Sequence, residues 1–310
     1  MLTACGSSDD DKDSADGACG GSEEITLEDG EPRVVALGWS DGEIALELGV
    51  KPVAVYDWMA FGEENKGVGP WACEAFGDEA PELLENTGEG YNYEQIELLE
   101  PDVILNVRAG VDAEVTERLE QIAPVASAPE GTADFAVDWR TQTEIVGEAV
   151  EKDDEATTAI EETDAVIAEA AEANPDFAGK TFVFGTKYDG SYGAYLEGDA
   201  RFDVFAALGF VANPALDGLE TLGFSATVPA EKVSALDAQV AILTTIFLPL
   251  SDLEEDPLIT SLDVVKDDRA VILDEKDEIV TGFSAGTPSS IALAVEKVVP
   301  LLADATAKVS

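Results

Sequence analysis

Residues 153–173 read DDEATTAIEETDAVIAEAAEA, a run rich in Ala and Glu that stops at Asn174-Pro175. Ala and Glu favour a helix, and a proline directly after the run prevents the helix from continuing. At about 1.5 Å per residue this run forms a rod of roughly 30 Å, the width of a small domain. The sequence therefore predicts one long helix that is able to connect two globular lobes rigidly.

Short apolar runs alternate with helical patterns on the N-terminal side of this helix. Residues 33–37 (RVVAL), 53–56 (VAVY) and 102–107 (DVILNV) are continuously apolar or nearly so, which is typical of buried parallel strands. Residues 41–49 (DGEIALELG) have helical spacing and end at a glycine, which is a helix stop signal. Strands that alternate with helices predict a parallel sheet covered by helices on both faces.

The same alternation restarts on the C-terminal side. Residues 181–185 (TFVFG), 240–244 (VAILT) and 270–273 (AVIL) predict strands. Thr287 followed by Pro288 predicts the start of a last helix, which runs to about residue 302. We therefore expect an α/β protein of two Rossmann-like lobes with central parallel sheets, joined by a single long helix.

The length of the chain also favours two lobes. Its 310 residues exceed what one hydrophobic core usually holds, and its 45% apolar content is ordinary for a globular protein. The predicted boundaries are a tether at 1–24, an N-terminal α/β lobe at 25–150, the linking helix at 151–174 and a C-terminal α/β lobe at 175–310.

The N-terminus predicts the compartment. The stretch Leu2-Thr3-Ala4-Cys5 resembles a bacterial lipobox, in which Cys5 would be lipidated, although the basic and apolar parts of an export signal do not precede it. Residues 6–24 are mostly Gly, Ser and Asp, a composition typical of a flexible tether. We expect an extracytoplasmic protein anchored by lipid to the outer face of the cell membrane. The alternative is an ordinary disordered terminus with an incidental cysteine.

Cysteine usage leaves a second question open. Apart from Cys5, the chain has only Cys19, in the tether, and Cys73, in the first lobe. In an exported protein two such cysteines are able to pair, which would attach the tether to the lobe. The alternative is two free thiols.

Charge and the absence of histidine exclude several functions. The chain has 66 Asp and Glu against 17 Lys and Arg, a formal net charge of −49, and no His. Nucleic acid is excluded as a partner because phosphate binding needs clustered basic residues. Ser-His-Asp and Cys-His catalysis, imidazole zinc sites and proximal-His haem all need a histidine.

One motif resembles that of a hydrolase. Residues 282–286 (GFSAG) fit the pattern G-x-S-x-G, and the preceding EIVT is strand-like. A nucleophile elbow needs a histidine base, which the chain lacks, so Ser284 is not expected to be catalytic. We predict that the protein is not an enzyme and has no resident metal or cofactor.

The order of these segments resembles the ABC-transporter substrate-binding lipoproteins for ferric siderophores, haem or vitamin B12, whose lobes are joined by one long helix (class III periplasmic binding proteins). The matching segments are RVVALGWSDGEIALELGVKPVAV (33–55), YNYEQIELLEPDVILNV (91–107), LEQIAPV (119–125), PAEKVSALDAQVAIL (229–243) and DPLITSLDVVKDDRAVIL (256–273). PWACEAFG (70–77) and GDARFDVFAALGF (198–210) look most like actinobacterial iron-siderophore binders. The resemblance covers roughly residues 32–305.

The candidate ligand residues follow from the expected fold. In open α/β sheets ligands bind beyond the carboxyl ends of the strands, so two facing lobes would place those ends around one cleft. Aromatic and arginine side chains after strands or in longer loops are suited to a bulky, partly apolar ligand. They are Trp39, Tyr56, Trp58, Trp71, Tyr91, Arg108, Tyr188, Tyr192, Arg201 and Phe247. The alternative for each aromatic is packing beneath a loop.

Two glutamates are candidates for contact with a transporter. The resemblance implies that Glu94 and Glu231, one in each lobe, meet arginines on the membrane subunits of an ABC importer. Each also starts a short predicted helix, where a negative charge suits the helix dipole, and this capping role is the alternative. We also expect a monomer.

The expected ligand is a ferric siderophore. The absence of His argues against the zinc and manganese carriers, whereas a chelator that saturates the iron needs no protein ligand. The candidate cations, Arg108, Arg201, Arg140 and Lys187, are few and the overall charge is strongly negative, which favours a hydroxamate or mixed chelator of low charge. Haem held through Tyr, Met or stacking, and vitamin B12, stay open, as do a metal-cluster enzyme component and an adhesive surface protein.

Overall fold

The computed structural model describes residues 19–84 and 90–309. Cys5 and most of the predicted tether lie outside the described residues. Within the described part, the two larger β-sheets with their helices lie on either side of one long helix, α5 (Asp153–Ala173), in the place where the sequence predicts it. This helix packs against the last helix of the first lobe and the last helix of the second.

The first lobe holds a five-stranded parallel sheet in the order β5-β3-β2-β6-β7, beside a two-stranded ribbon of β1 and β4. Its strands are β1 (Glu23–Glu24), β2 (Val34–Ala36), β3 (Ala54–Tyr56), β4 (Glu79–Ala80), β5 (Glu82–Leu84), β6 (Val103–Asn106) and β7 (Val125–Ser127). Its helices are α1 (Asp41–Glu47), α2 (Tyr93–Leu98), α3 (Ala113–Glu120) and α4 (Trp139–Ala149). The central strands are buried on both sides, which explains their continuous apolar runs.

The second lobe holds a seven-stranded sheet in the order β11-β12-β9-β8-β13-β14, with β10 paired to the first residues of β8. Its strands are β8 (Thr181–Tyr188), β9 (Ser191–Tyr195), β10 (Val211–Ala212), β11 (Glu220–Leu222), β12 (Ser225–Val228), β13 (Val240–Thr245) and β14 (Ala270–Ile272). Its helices are α6 (Ala200–Ala207), α7 (Leu250–Glu254), α8 (Asp263–Lys266), α9 (Glu278–Ala285) and α10 (Pro288–Thr306). Apolar residues pack on both faces of this sheet.

The second sheet differs from the expected parallel sheet. β8, β10, β13 and β14 are parallel, but β9, β11 and β12 run antiparallel to their neighbours. For β9 the cause is the two-residue turn Asp189-Gly190, which joins paired Tyr188 and Ser191 and has positive φ at both turn residues (24° and 77°). An Asp-Gly pair is the residue type that such hairpin turns need.

The segment around Ser284 also differs from the prediction. Residues Glu278–Ala285 form helix α9, so the strand-like EIVT is the first half of a helix. Asp277 starts it by accepting a hydrogen bond from the backbone N of Ile279 at 2.9 Å. The Ser284 hydroxyl donates to the carbonyl of Val280 one turn earlier, at 2.7 Å. Ser284 is therefore part of a helix and not of an exposed elbow.

Cys19 and Cys73 form a disulfide bond, with Cα atoms 5.9 Å apart. Of the two alternatives left open by the sequence, the structure has the bonded one. The pairing of Glu23 with Glu79 in the β1–β4 ribbon continues the attachment of this N-terminal segment to the first lobe. No helix within the described ranges combines the length and the apolar composition needed to span a bilayer.

Candidate functional site

The strand ends of the first lobe bring several predicted site residues to one edge of the sheet. β2, β3 and β6 are neighbours and parallel, so their carboxyl ends lie side by side. Trp39 follows β2, Trp58 follows β3 and Arg108 follows β6. The rule that ligands bind beyond these ends thus applies to residues that are distant in sequence but adjacent in the fold.

Five aromatic side chains of the first lobe form a continuous surface, which we call the aromatic wall (Trp39, Trp58, Phe61, Trp71 and Phe135). The Trp39 ring stacks on Phe135 with centroids 4.2 Å apart and on Trp58 at 5.0 Å. Phe61 meets Trp58 and Trp71 edge to face, at 6.3 and 5.9 Å. All five are half-buried, so the wall retains exposed aromatic surface.

The three tryptophans of the wall are sequence-predicted, whereas Phe61 and Phe135 are not. Phe135 lies in the segment after β7, the next strand of the same sheet, so the strand-end rule extends to it. Phe61 lies in the loop between Trp58 and Trp71, and only the fold shows that it bridges them. The indole Nε1 atoms of Trp58 and Trp71 have no hydrogen-bond acceptor among the described residues.

The predicted tyrosines of the first lobe form a second aromatic contact. Tyr56 and Tyr91 meet edge to face, with centroids 5.8 Å apart. The Tyr91 hydroxyl donates to Asn106 Oδ1 at 2.9 Å. Burial raises the pKa of both phenols above their usual value. The nearby Asp41 and Tyr56 raise the pKa of Tyr91 further. Both tyrosines therefore stay protonated at neutral pH.

Two buried carboxyl groups stand beneath the aromatic wall, at the start of α1. Asp41 accepts hydrogen bonds from the backbone N of Val107 and from Gln142 Nε2, both at 2.7 Å. Glu43 accepts from the backbone N of Gly69 at 2.7 Å. Burial raises the pKa of Asp41 to about 6 and that of Glu43 to about 7. These groups hold the loops that carry Arg108 and Trp71 against α1.

The two predicted arginines belong to a buried ion network between the lobes, which we call the Asp199 network (Arg108, Asp199 and Arg201). Arg201 binds Asp199 bidentately, Nε to Oδ1 and Nη2 to Oδ2, each at 2.7 Å. Arg108 approaches the same carboxylate from the first lobe, Nη2 to Oδ2 at 3.4 Å. Burial alone would raise the pKa of Asp199, but the charge and hydrogen bonds of Arg201, with the charge of Arg108, hold it below its usual value.

Arg108 also binds the end of α9 in the second lobe. Its Nη1 donates to the carbonyl oxygens of Ser284 and Ala285, each at 3.0 Å. A cation at the carboxyl end of a helix suits the helix dipole. The Arg108 Nε donates to the carbonyl of Phe135 at 3.4 Å, and its guanidinium lies 5.8 Å from the Trp39 ring. Arg108 thus connects the aromatic wall to the second lobe.

The arginines therefore differ from their predicted role as free donors to ligand oxygens. Arg108 and Arg201 are only 4% and 7% exposed, and their donors bind protein groups. The reason is the high free-energy cost of an unpaired buried guanidinium, which Asp199 and the α9 carbonyls offset. The Arg201 guanidinium also lies 3.6 Å from the Tyr195 ring.

The other two candidate cations are paired as well. Arg140 binds both carboxylate oxygens of Asp164 on α5, with its Nε at 3.2 Å from Oδ2. Lys187 Nζ lies 2.5 Å from Asp256 Oδ2 and lines a surface depression of about 340 Å³. All four basic residues that the sequence places near the cleft therefore have an acidic partner within the chain.

The remaining predicted residues of the second lobe lie in different surroundings. Tyr192 is inside strand β9, 4% exposed, and its hydroxyl donates to Asp256 Oδ2 at 2.5 Å, so the prediction that it lines the cleft is wrong. The hairpin turn of β8 and β9 makes it a strand residue of the core. Tyr188 ends β8 and is half-buried, while Phe247 after β13 is 92% exposed with φ 55°.

The two predicted docking glutamates are exposed on short helical segments. Glu94 lies in α2, and Glu231 lies in a 3-10 helix at Ala230–Leu236. The cap of α2 comes from Asn92, whose Oδ1 accepts from the backbone N of Gln95 at 3.2 Å. Asn92 is therefore the capping side chain, while Glu94 lies in the first turn of α2, where its negative charge suits the helix dipole. Leu98, one turn along α2 from Glu94, is 84% exposed.

Comparisons with known proteins give consistent results. The periplasmic binding protein family model matches residues 34–276. A periplasmic solute binding protein from Mycobacterium smegmatis is 28% identical, with a TM-score of 0.78, over 94% of this chain and 99% of that one. PiaA from Streptococcus pneumoniae, solved with ferrichrome, is 26% identical, with a TM-score of 0.75, over 92% and 97%.

A more distant structure shares the fold. SirA from Staphylococcus aureus, solved with staphyloferrin B, is 22% identical, with a TM-score of 0.68, over 89% of this chain and 95% of that one. No curated protein sequence matches the chain. No group of three or more acidic or cysteine side chains within the described ranges is arranged to hold a metal ion. The family match over most of the chain and the two-lobe fold lead to one conclusion: this chain belongs to the periplasmic binding protein family.

Proposed function

We propose that this protein captures a ferric siderophore in the cleft between its lobes and delivers it to an ABC importer for iron uptake. The observation that carries the proposal is the aromatic wall, which offers half-buried ring faces at the strand ends where this fold binds ligands. The proposal is further supported by PiaA, described as an iron uptake ABC transporter substrate-binding protein and solved with ferrichrome. Binding and delivery involve no chemical step, so the protein is not an enzyme.

The pairing of the cleft cations supports a chelate of low charge. A ferric tris-hydroxamate is uncharged because three hydroxamates balance Fe³⁺, whereas a ferric tris-catecholate carries three negative charges. Arg108, Arg201, Arg140 and Lys187 are all neutralised in part by acidic partners, which leaves little positive charge for an anionic ligand. A hydroxamate or mixed siderophore is therefore the ligand class that the site supports best.

Haem is the second candidate, because a flat macrocycle is able to stack on the aromatic wall. Ligation of its iron by tyrosine needs a phenolate, and burial raises the pKa of Tyr56 and Tyr91. Met59, beside Trp58, is half-buried and is the other candidate ligand. Vitamin B12 needs no protein ligand, and the same binding experiment tests it.

We also propose that the protein acts at the outer face of the cell membrane, as a monomer held by lipid on Cys5. The lipobox-like sequence and the composition of residues 6–24 support this assignment. Mass spectrometry of membrane-extracted protein should find diacylglycerol and an acyl chain on Cys5. Recovery of the unmodified cysteine, or of the protein in the soluble fraction, would contradict the anchor.

Tryptophan fluorescence tests the ligand. We expect a ferric tris-hydroxamate to quench the emission strongly, because three of the four tryptophans lie in the aromatic wall. The matched control is Trp139→Phe, which removes the core tryptophan of α4 and should leave the quenching intact. Quenching by haem or cobalamin alone would overturn the siderophore assignment. Absence of both quenching and a thermal shift with every ligand would overturn the binding function.

A further inference from the structure

We infer that Asp199 sets the charge of the ferric chelate that the cleft accepts, by neutralising part of the charge on Arg108 and Arg201. With Asp199 in place the site favours uncharged chelates, and without it the site would favour anionic ones. The inference rests on the proposed function, since it concerns selection among ferric chelates.

The geometry makes Asp199 the shared counter-ion of the two arginines. Its Oδ1 binds Arg201 Nε, and its Oδ2 lies 2.7 Å from Arg201 Nη2 and 3.4 Å from Arg108 Nη2. Two guanidinium charges and one carboxylate leave a net charge of +1. Removal of the carboxylate charge would raise the net charge of the three groups from +1 to +2.

The network is buried, so its charge acts strongly on nearby groups. The side chains of Asp199, Arg108 and Arg201 are 1%, 5% and 9% exposed. Salt screens buried charges much less than exposed ones, and the lower local dielectric strengthens their Coulomb interaction. The low pKa of Asp199 means that it is ionised throughout the neutral range.

The network also stands directly behind the surface on which the ligand is proposed to bind. Arg108 lies against Trp39 and donates to the carbonyl of Phe135, the two stacked rings at one end of the aromatic wall. The other acidic groups nearby are Asp41, which accepts from the backbone N of Arg108 at 3.5 Å, Glu43 in the same helix α1, and Asp203, one turn along α6 from Asp199. None of these three carboxyl groups forms an ion pair with either guanidinium among the described residues, so Asp199 is the counter-ion in contact with both arginines.

The test measures dissociation constants for a ferric tris-hydroxamate and a ferric tris-catecholate in the wild type and in Asp199→Asn. Asparagine keeps the shape and the helix-capping oxygen of Asp199 but removes its charge. The variant should change the ratio of the two dissociation constants by about tenfold or more in favour of the tris-catecholate. An unchanged ratio in a folded variant overturns the inference.

A matched control and a second variant complete the experiment. Asp203→Asn removes the same charge from α6, but this carboxylate accepts from the backbone N of Gly198 and not from an arginine, so the ratio should stay within about threefold. Asp199→Ser keeps a capping oxygen in a smaller side chain and decides the question if Asp199→Asn does not fold.

The wild type is informative by itself. Tighter binding of the tris-catecholate than of the tris-hydroxamate by the wild type overturns the inference without any variant. If the wild type binds neither chelate, the proposed function fails. If it binds the tris-hydroxamate but both Asp199 variants keep the wild-type ratio, only the role of Asp199 fails.

Discussion

The two sides of the cleft are built from different chemistry. The first lobe contributes the aromatic wall, whose rings stack on one another and keep exposed surface. The second lobe contributes ion pairs, Asp199 with Arg201 and Asp256 with Lys187, together with the exposed Phe247. The first lobe thus provides most of the aromatic surface at the cleft, and the second lobe provides most of the carboxylates that balance its positive charges.

The cause of the difference is the topology of the two sheets. In the first lobe the five strands of the larger sheet are parallel, and the segments after β2, β3 and β7 carry Trp39, Trp58 and Phe135 of the aromatic wall. In the second lobe β8 turns back at once through Asp189-Gly190 into β9. The hairpin carries Tyr192 into the core, and the network begins only after β9, at the cap of α6.

The largest expected effect concerns the feature that the two lobes share. We predict that Glu94→Ala combined with Glu231→Ala abolishes uptake, because each lobe loses its proposed ion pair with the importer. The affinity for the ligand should stay nearly unchanged, since both side chains are exposed on short helical segments. Transport of a radiolabelled ferric chelate into cells measures the first effect and fluorescence quenching the second.

The control for this experiment removes two other exposed acidic side chains, Glu97 of α2 and Glu254 of α7. This double variant has the same change in net charge and should transport at close to the wild-type rate. Wild-type uptake by the Glu94 and Glu231 variant would remove these residues from the docking surface.

The next prediction compares the aromatic wall of the first lobe with the buried residues of the second lobe. Trp39→Ala removes the ring that joins Trp58 to Phe135, and we expect the affinity for a ferric tris-hydroxamate to fall about 10- to 100-fold. Trp39→Phe should recover much of the loss.

Tyr192→Phe should leave the affinity for the chelate within about twofold and lower the free energy of unfolding by about 1–3 kcal/mol, because it removes a buried hydrogen bond to Asp256.

Titration and urea unfolding of these variants measure both quantities. If Tyr192→Phe weakens binding as much as Trp39→Ala does, the division of roles between the lobes is wrong.

The last prediction concerns the pH dependence of stability and the buried acids of the two sides, whose pKa values move in opposite directions. Burial without a cation in contact raises the pKa of Glu43 from its usual 4.5 to about 7, whereas the arginines lower the pKa of Asp199. Between pH 4.5 and 7 folded Glu43 holds a proton that the unfolded chain releases, so its contribution to stability is lost as the pH rises through this window.

Glu43→Gln removes this titration. The unfolding free energy of the variant relative to the wild type should therefore rise by about 2–3 kcal/mol from pH 4.5 to pH 8. Urea unfolding of both proteins across this range gives the difference directly. A difference that does not vary with pH would show that Glu43 has an ordinary pKa.

Much of the fold could be predicted from the sequence because its signals are local. The long run of Ala and Glu, the apolar strand runs and the Thr287-Pro288 start each specify one element through short-range preferences. Asp189-Gly190 is an equally local signal for a hairpin turn. The alternation of strands and helices along the rest of the chain favoured a parallel sheet instead, so this signal was not used. The segment EIVT was ambiguous because a short apolar run suits both a strand and a helix, and the Asp277 cap decides for the helix.

The candidate site was only partly predictable. The strand-end rule found Trp39, Trp58 and Arg108, since sequence order predicts where strands end. It did not find Phe61 or Asp199, because no local pattern marks a ring that bridges two others or an acid that meets an arginine of the other lobe.

The sequence by itself determined the two-lobe α/β plan, the linking helix and a histidine-free chemistry, since composition and short-range periodicity are properties of the chain alone. Only the tertiary structure decided that Asp199, Arg108 and Arg201 form one buried network and that Tyr192 is a core residue. The physical reason is that the charge available to a ligand depends on which ionised groups are brought within a few ångströms of one another. That proximity joins residues 91 positions apart and is created only when the lobes pack together.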